Sequence, residues 1–231
     1  MPNRLLSSCF LQLRLANGQS VNANHVISAI PLPALATIIP EDAPLPHLRA
    51  NPASTVAVVN LVFSTACLPV PLHPPGFGYL IPRPEGGYEG SGAGMLGVVF
   101  DTASLAAQDT VLAGKDVFVK ITAMMGGPYT LAPEQTAPET VRTRIGEQLQ
   151  YPGGILPPPA YYKVHRNVEC IPTYTVGHVE RMEELREALR EQWAGKLSVA
   201  GAGVSGVSMP DCVKAGRDAA RTLVRQGGLS L

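Results

Sequence analysis

Net charge is missing from this sequence: 18 Lys and Arg stand against 18 Asp and Glu. Without a basic surplus there is no electrostatic case for nucleic acid, because phosphate recognition needs clustered cations. Long apolar runs are missing too, and none reaches the roughly 18 residues of a helical membrane span. Four cysteines, Cys9, Cys67, Cys170 and Cys212, lie far apart with no CxxC pair. They signal neither a zinc site nor a disulfide framework, and read as buried or incidental thiols of a reducing compartment. The histidines at 25, 47, 73, 165 and 178 lack ligand spacing, so no metal is expected. No GxSxG elbow or comparable nucleophile–base spacing occurs, and no catalytic side chain is assigned.

What is present is apolar and β-rich. With 45% hydrophobic residues, 231 residues suffice for one large domain or two small ones. Arg4 and Arg14, with no acid before Glu41, superficially suggest a transit peptide. The alternation over Phe10–Leu15, followed by Asn17-Gly18, reads better as a hairpin. A chain opening on a hairpin strand is expected to be part of a longer protein.

His25–Ile30 reads as a buried strand stopped by Pro31, and Leu32–Ile39 as a short helix ended by Pro40. Asp42–Pro52 is a proline-rich connector. Ser54–Ser64 is β-branched and long, so it is expected centrally in a sheet. Gly76–Ile81, Met95–Phe100 and Asp116–Met125 continue a run of strands that predicts an antiparallel sheet, with a polar excursion at Arg83–Gly94. Pro133–Gln150 reads as a helix, Pro152–Pro159 as a rigid linker, Ala160–Val168 as a strand and Ile171–His178 as a loop. The helix that follows has an apolar stripe of Val179, Met182, Leu185, Leu189 and Trp193, taken as core.

The tail carries the most information. Leu197–Ala200 reads as a strand, Gly201-x-Gly203-x-x-Gly206 as a glycine-rich turn, and the rest as a helix. An ordinary dinucleotide fingerprint would put Pro210 inside its helix and would need a further strand ending in an acid. The better register makes Ser208 the N-cap, Asp211 its capping-box partner, and Pro210 a first-turn residue. The N–H groups around Gly206–Met209 then sit at a helix N-terminus, where partial positive charge accumulates. Such a turn holds an anion or the electron-accepting edge of a flavin, or is a glycine-rich connection without a ligand; the motif alone leaves both open.

In the middle of the chain Phe77, Leu80 and Met124 stand beside Gly76, Gly78, Gly126 and Gly127. Glycine in strands admits a neighbouring backbone or a flat ligand, so these residues line an apolar pocket or belong to the sheet core. Asp101 reads as an acid capping a strand end. With so few acid–base groups, any chemistry would fall to a bound cofactor.

His25–Pro31, Val56–Leu61, Gly76–Pro82, Leu96–Asp101, Met124–Gly127, Cys170–His178 and Ala200–Ala202 through Asp211–Ala220 follow one another in a distinctive order and spacing. With them the chain resembles the C-terminal half of the eukaryotic protoporphyrinogen oxidase family, within the FAD-containing amine-oxidase superfamily. The resemblance implies a mixed α/β and α+β fold. It makes residues 1–40 and 168–231 the C-terminal part of an FAD-binding Rossmann-like domain, interrupted by a β-sheet substrate-binding domain at 41–167. It implies FAD contacts from Gly201, Ala202, Gly206, Val207, Ser208 and Met209, and tetrapyrrole contacts from Phe77, Gly78, Leu80 and Met124. It implies oxidation of protoporphyrinogen IX to protoporphyrin IX with dioxygen as acceptor. A homodimer on the mitochondrial inner membrane is also implied, associated peripherally through a region this chain lacks. The family's opening βαβ unit, with its GxGxxG and acid, and its arginine facing a substrate propionate have no counterpart here. Where family members can carry an aromatic residue after Gly-His, this sequence has Val179. An isolated half-site is expected to bind FAD weakly and to expose apolar surface. The alternatives are a catalytically inactive fragment, an interaction module of the same fold, or another flavin amine oxidase.

Overall fold

A computed structural model describes residues 10–87, 94–105 and 118–225. Arg4, Cys9, part of the polar excursion (88–93) and the first residues of the strand expected from Asp116 lie outside the described residues. The chain divides into two compact units, Met1–Ala53 with Ile171–Leu231, and Ser54–Cys170.

In the first unit, β1 (Leu11–Arg14) and β2 (Ser20–Ala23) form the expected antiparallel hairpin, turning at Gly18. β3 (Val26–Ser28) pairs in parallel with β9 (Leu197–Val199). Between them in sequence come the short α1 (Leu32–Leu35) and, much later, α4 (His178–Trp193); α5 (Met209–Arg225) follows β9. α1 is shorter than expected because beyond it the chain tightens, Thr37 and Ile38 bonding to the carbonyls of Ala34 and Leu35 three residues back. The core gathers Leu32, Leu35, Met182, Leu185, Trp193 and Leu197. Ala43, Leu45 and Leu48 are buried in the same cluster, so the connector expected to begin the β-rich part packs in this unit.

One expected core residue of α4 is misplaced. Val179 is 65% exposed, whereas His178, Met182, Leu185, Leu189 and Trp193 are buried. The buried positions follow i, i+4, i+7, i+11 and i+15 from His178, so Val179 falls about 100° round the helix from that stripe. A polar residue opens the apolar face, which is why a search for apolar letters missed it.

The second unit is a five-stranded sheet in the order β5-β6-β7-β4-β8. Its strands are β4 (Ala53–Ser64), β5 (Gly78–Leu80), β6 (Met95–Val99), β7 (Phe118–Gly127) and β8 (Tyr161–Pro172). β5, β6, β7 and β4 pair antiparallel in succession, and the long β4 lies inside the sheet as its composition demands. A short α2 (Asp101–Ser104) follows β6. The single helix expected over Pro133–Gln150 is instead a 3-10 turn (Pro133–Thr136) and α3 (Pro138–Gln148). Pro138, without an N–H, starts a new helix more readily than it continues one. β8 runs past Val168 to Pro172, into the segment read as loop; it is an edge strand, where proline is tolerated.

Alternation divides this sheet into two faces. Val59, Leu61, Phe63, Val98, Ile121, Ala123 and Met125 are buried on one, where Val141 and Ile145 of α3 complete the core. The other face carries Val58, Asn60, Thr122 and Met124, all half-buried.

Candidate functional site

The glycine-rich turn begins where β9 ends. The Ala200 amide bonds back to the Ser28 carbonyl at 2.9 Å, and the chain then leaves the sheet through Gly201 at φ +104°. Val204 N–H donates to the Gly201 carbonyl at 3.1 Å, and Gly206, at φ +142°, turns the chain into α5.

Ser208 and Asp211 form the expected capping box. Ser208 N–H donates to Asp211 Oδ2 at 3.2 Å and Asp211 N–H donates to Ser208 Oγ at 3.2 Å. The Ser208 hydroxyl also donates to Asp211 Oδ2, at 2.6 Å. Pro210 sits in the first turn, where its missing N–H disrupts no bond.

The cap consumes part of what a ligand was expected to meet. Gly206 N–H is taken by the Tyr174 hydroxyl at 2.8 Å and Ser208 N–H by Asp211. The amides of Val207 and Met209 carry no hydrogen bond among the described residues, and their side chains are exposed. The expected row of N–H donors over Gly206–Met209 therefore reduces to these two at the helix N-terminus. They fit one edge of a flavin or an anion, a partial rather than a complete cofactor site.

Beneath the turn lies a side-chain network that the sequence did not reveal. Tyr174 donates its hydroxyl to the Ala202 carbonyl and stacks on His178, ring centroids 3.8 Å apart and planes 8° apart. Burial pushes the Tyr174 phenol up from its usual range. His178 Nε2 lies 3.1 Å from the Val204 carbonyl and its Nδ1 lies 3.0 Å from Asn51 Nδ2. Arg181 donates to Asn51 Oδ1, the Val176 and Thr175 carbonyls and Thr175 Oγ1. The Cys170–His178 segment was the available signal, but its spacing alone names no partner 28 residues away in the turn.

In the second unit the expected substrate residues mostly share a face. Leu80 lies opposite Gly97, and Gly97 opposite Met124, so Leu80 and Met124 flank a side-chain-free position. Gly78 stands in the adjacent row with Val99, Thr122 and Asn60. Phe77 lies just outside β5, 71% exposed, between Gly76 and Gly78 at φ +146° and +148°. The glycines here make room for the neighbouring strand: a Cβ on Gly78 would lie 2.2 Å from the Val98 carbonyl oxygen, and one on Gly97 2.5 Å from that of Tyr79. On the same face Asn60 Nδ2 donates to Thr122 Oγ1 at 2.9 Å, which donates to Asp101 Oδ2 at 2.6 Å. Asp101 opens α2 and is tied across the sheet, which pattern reading had reduced to an end-cap.

Two hollows lie elsewhere. One of about 450 Å³ opens between α4, β9 and α5 beside Arg186, Arg190, Ser205 and Lys214. Another of about 500 Å³ lies beside Leu68–His73 and Thr102. Neither is lined by any of the expected site residues. Of the cysteines, Cys67 and Cys170 are exposed and Cys212 half-buried, so none of these three is a buried thiol.

Residues 7–224 match the family of flavin-containing amine oxidoreductases. The chain belongs to that family. Among its relatives, the protoporphyrinogen oxidases of Homo sapiens and Bos taurus are 37% and 34% identical to it over 207 residues, 87% of this chain. The chain spans 40% of the length of each. The crystal structure of a candidate protoporphyrinogen oxidase from Exiguobacterium sp. 255-15 superposes with a TM-score of 0.68 at 22% identity, over 94% of this chain and 44% of that one. That match shows a shared mixed α/β architecture. Family membership fits a chain whose described part offers a capped, partly vacant helix N-terminus.

Proposed function

We propose that this chain provides the substrate-facing sheet and the C-terminal flavin turn of an FAD-dependent porphyrinogen oxidase, with protoporphyrinogen IX as substrate and dioxygen as acceptor. The observation that carries the reading is the similarity to mammalian protoporphyrinogen oxidases across 87% of the chain. FAD held at this turn would supply a two-electron acceptor for the hydride equivalents of the porphyrinogen, with dioxygen as the final acceptor.

The chain's own residues bind and orient. Val207 and Met209 present amide donors to the flavin, helped by the positive end of α5. Gly201, Ala202 and Gly206 keep side chains away from it, and Ser208 holds the helix start in place. Leu80 and Met124 offer an apolar face to the tetrapyrrole, Gly78 extends it, and the exposed Phe77 lies at its margin. The reading extends to a mitochondrial inner-membrane enzyme acting as a homodimer. The same sheet-and-turn design without catalysis, as an interaction module, is the second reading, favoured by the pairing of the Gly206 and Ser208 amides within the protein.

Titrating the purified full chain with FAD, followed by flavin fluorescence, and then adding protoporphyrinogen in air separates the two. Flavin quenching and growth of porphyrin fluorescence above the uncatalysed rate are expected. A chain that leaves both signals unchanged overturns the enzyme reading and leaves the module.

A further inference from the structure

The turn that carries the two vacant amides is held from below by a directional chain of hydrogen bonds. Arg181 donates to Asn51 Oδ1, which leaves Asn51 Nδ2 to donate to His178 Nδ1. His178 Nδ1 is then an acceptor, and the remaining ring N–H, on Nε2, points to the Val204 carbonyl. This assigns the tautomer of His178 from its partners. Tyr174, stacked on that imidazole, bonds both the Ala202 carbonyl and the Gly206 N–H, spanning the turn between its two glycine bends.

Three backbone groups of the turn, at 202, 204 and 206, thus have a side chain of the 174–178 segment as partner. His178 is only 9% exposed. The two ring bonds of His178 fix the orientation of its buried imidazole, because turning the ring would leave a buried polar group unpaired. Gly206 N–H points to Tyr174, while the Val207 and Met209 amides have no acceptor among the described residues. The alternation of bonded and vacant amides follows from which ones Tyr174 and Asp211 have taken.

We propose that Tyr174 and His178 are positioning residues: with Asn51 and Arg181 they lock the 201–207 turn in the shape that leaves the Val207 and Met209 amides open to the ligand. The ligand's identity as a flavin rests on the function proposed above; the locking of the turn does not.

The test uses the full chain, with FAD as the probe, in wild type and Tyr174→Phe. Phe keeps the stacking ring and removes only the hydroxyl that bonds both sides of the turn. Amide hydrogen exchange without ligand is expected to quicken at Gly206 by about fivefold to tenfold, the loss of one net hydrogen bond. FAD affinity is expected to fall by a similar factor, with a shifted absorption band for bound flavin, while the thermal midpoint changes little. His178→Gln, which retains a donor for Val204, is expected to lose less affinity than His178→Leu. Unchanged exchange at Gly206 overturns the proposal, as does faster exchange with unaltered FAD affinity and spectrum. Should wild type take up no FAD, the flavin reading falls by itself. The locking claim is then decided by exchange in the unliganded chain, where equal rates in wild type and variant overturn it.

Discussion

At Gly206 two requirements meet in one residue. Its φ of +142° is a backbone state that L side chains rarely adopt, and a Cβ there would lie 2.4 Å from Asp211 Cγ, the carboxylate that caps α5. Gly206→Ala is therefore expected to lower stability by about 1–3 kcal/mol, from strain and a displaced cap, read as a lower urea midpoint. Ten residues on, Gly216 lies within α5 at an ordinary φ with nothing within 4 Å of an added Cβ. Gly216→Ala is expected to raise the midpoint, by about 0.5–1 kcal/mol, because alanine loses less backbone entropy in a helix. Opposite signs for one substitution in one segment would confirm the turn geometry. His25 offers a residue-scale pH test. Burial lowers its pKa from 6.5, and its Nε2 sits 2.9 Å from Ser198 Oγ, joining the approach to β3 with β9. Below 6.5 the unfolded chain binds a proton that the folded chain resists, so stability is full above 6.5 and falls as pH drops towards the folded pKa. Urea midpoints across that window should show this decline in wild type and a shallower one in His25→Gln.

At the scale of the element, α4 and α5 contrast. α4 buries Met182, Leu185 and Leu189, and ends cleanly because Ala194 and Gly195 take left-handed φ. Leu185→Ala is expected to cost about 2–5 kcal/mol, as for other fully buried leucines. Val179→Ala, on the exposed side, is expected to stay within about 0.5 kcal/mol. Equal losses in thermal or urea unfolding would restore Val179 to the core stripe. α5 is amphipathic by sequence, yet none of its residues is buried: Met209, Val213 and Val224, spaced as one helical stripe, are all exposed. The helix owes its local definition to its cap and its turn. The sheet elements show the same division of causes, since β-branched letters located β4, whereas the extension of β8 to Pro172 depended on its edge position.

For the whole molecule, each of the two units has a hydrophobic core drawn from its own residues. The single tryptophan, Trp193, is buried in the first. Ile121→Ala, in the second core, is therefore expected to lower the far-UV circular dichroism midpoint while the Trp193 fluorescence midpoint stays in place. Coincident movement of both signals would mean that the units unfold as one. Exposed apolar side chains occur in both units, Val176 and Val179 in one, Phe77 and Leu80 in the other.

Local chemistry was legible in the letters. Asn17-Gly18 announced a hairpin, Pro31 stopped a strand, and Ser208 with Asp211 declared a helix start, because each acts through bonds to near neighbours. Contacts between distant residues were not legible. That Gly78 and Gly97 make room for backbone, that Asn51 meets His178, and that Tyr174 reaches Ala202 depend on which segments the fold brings together. Periodicity records which way a side chain faces; only the tertiary structure decides what stands opposite, and so which amides of the turn remain free.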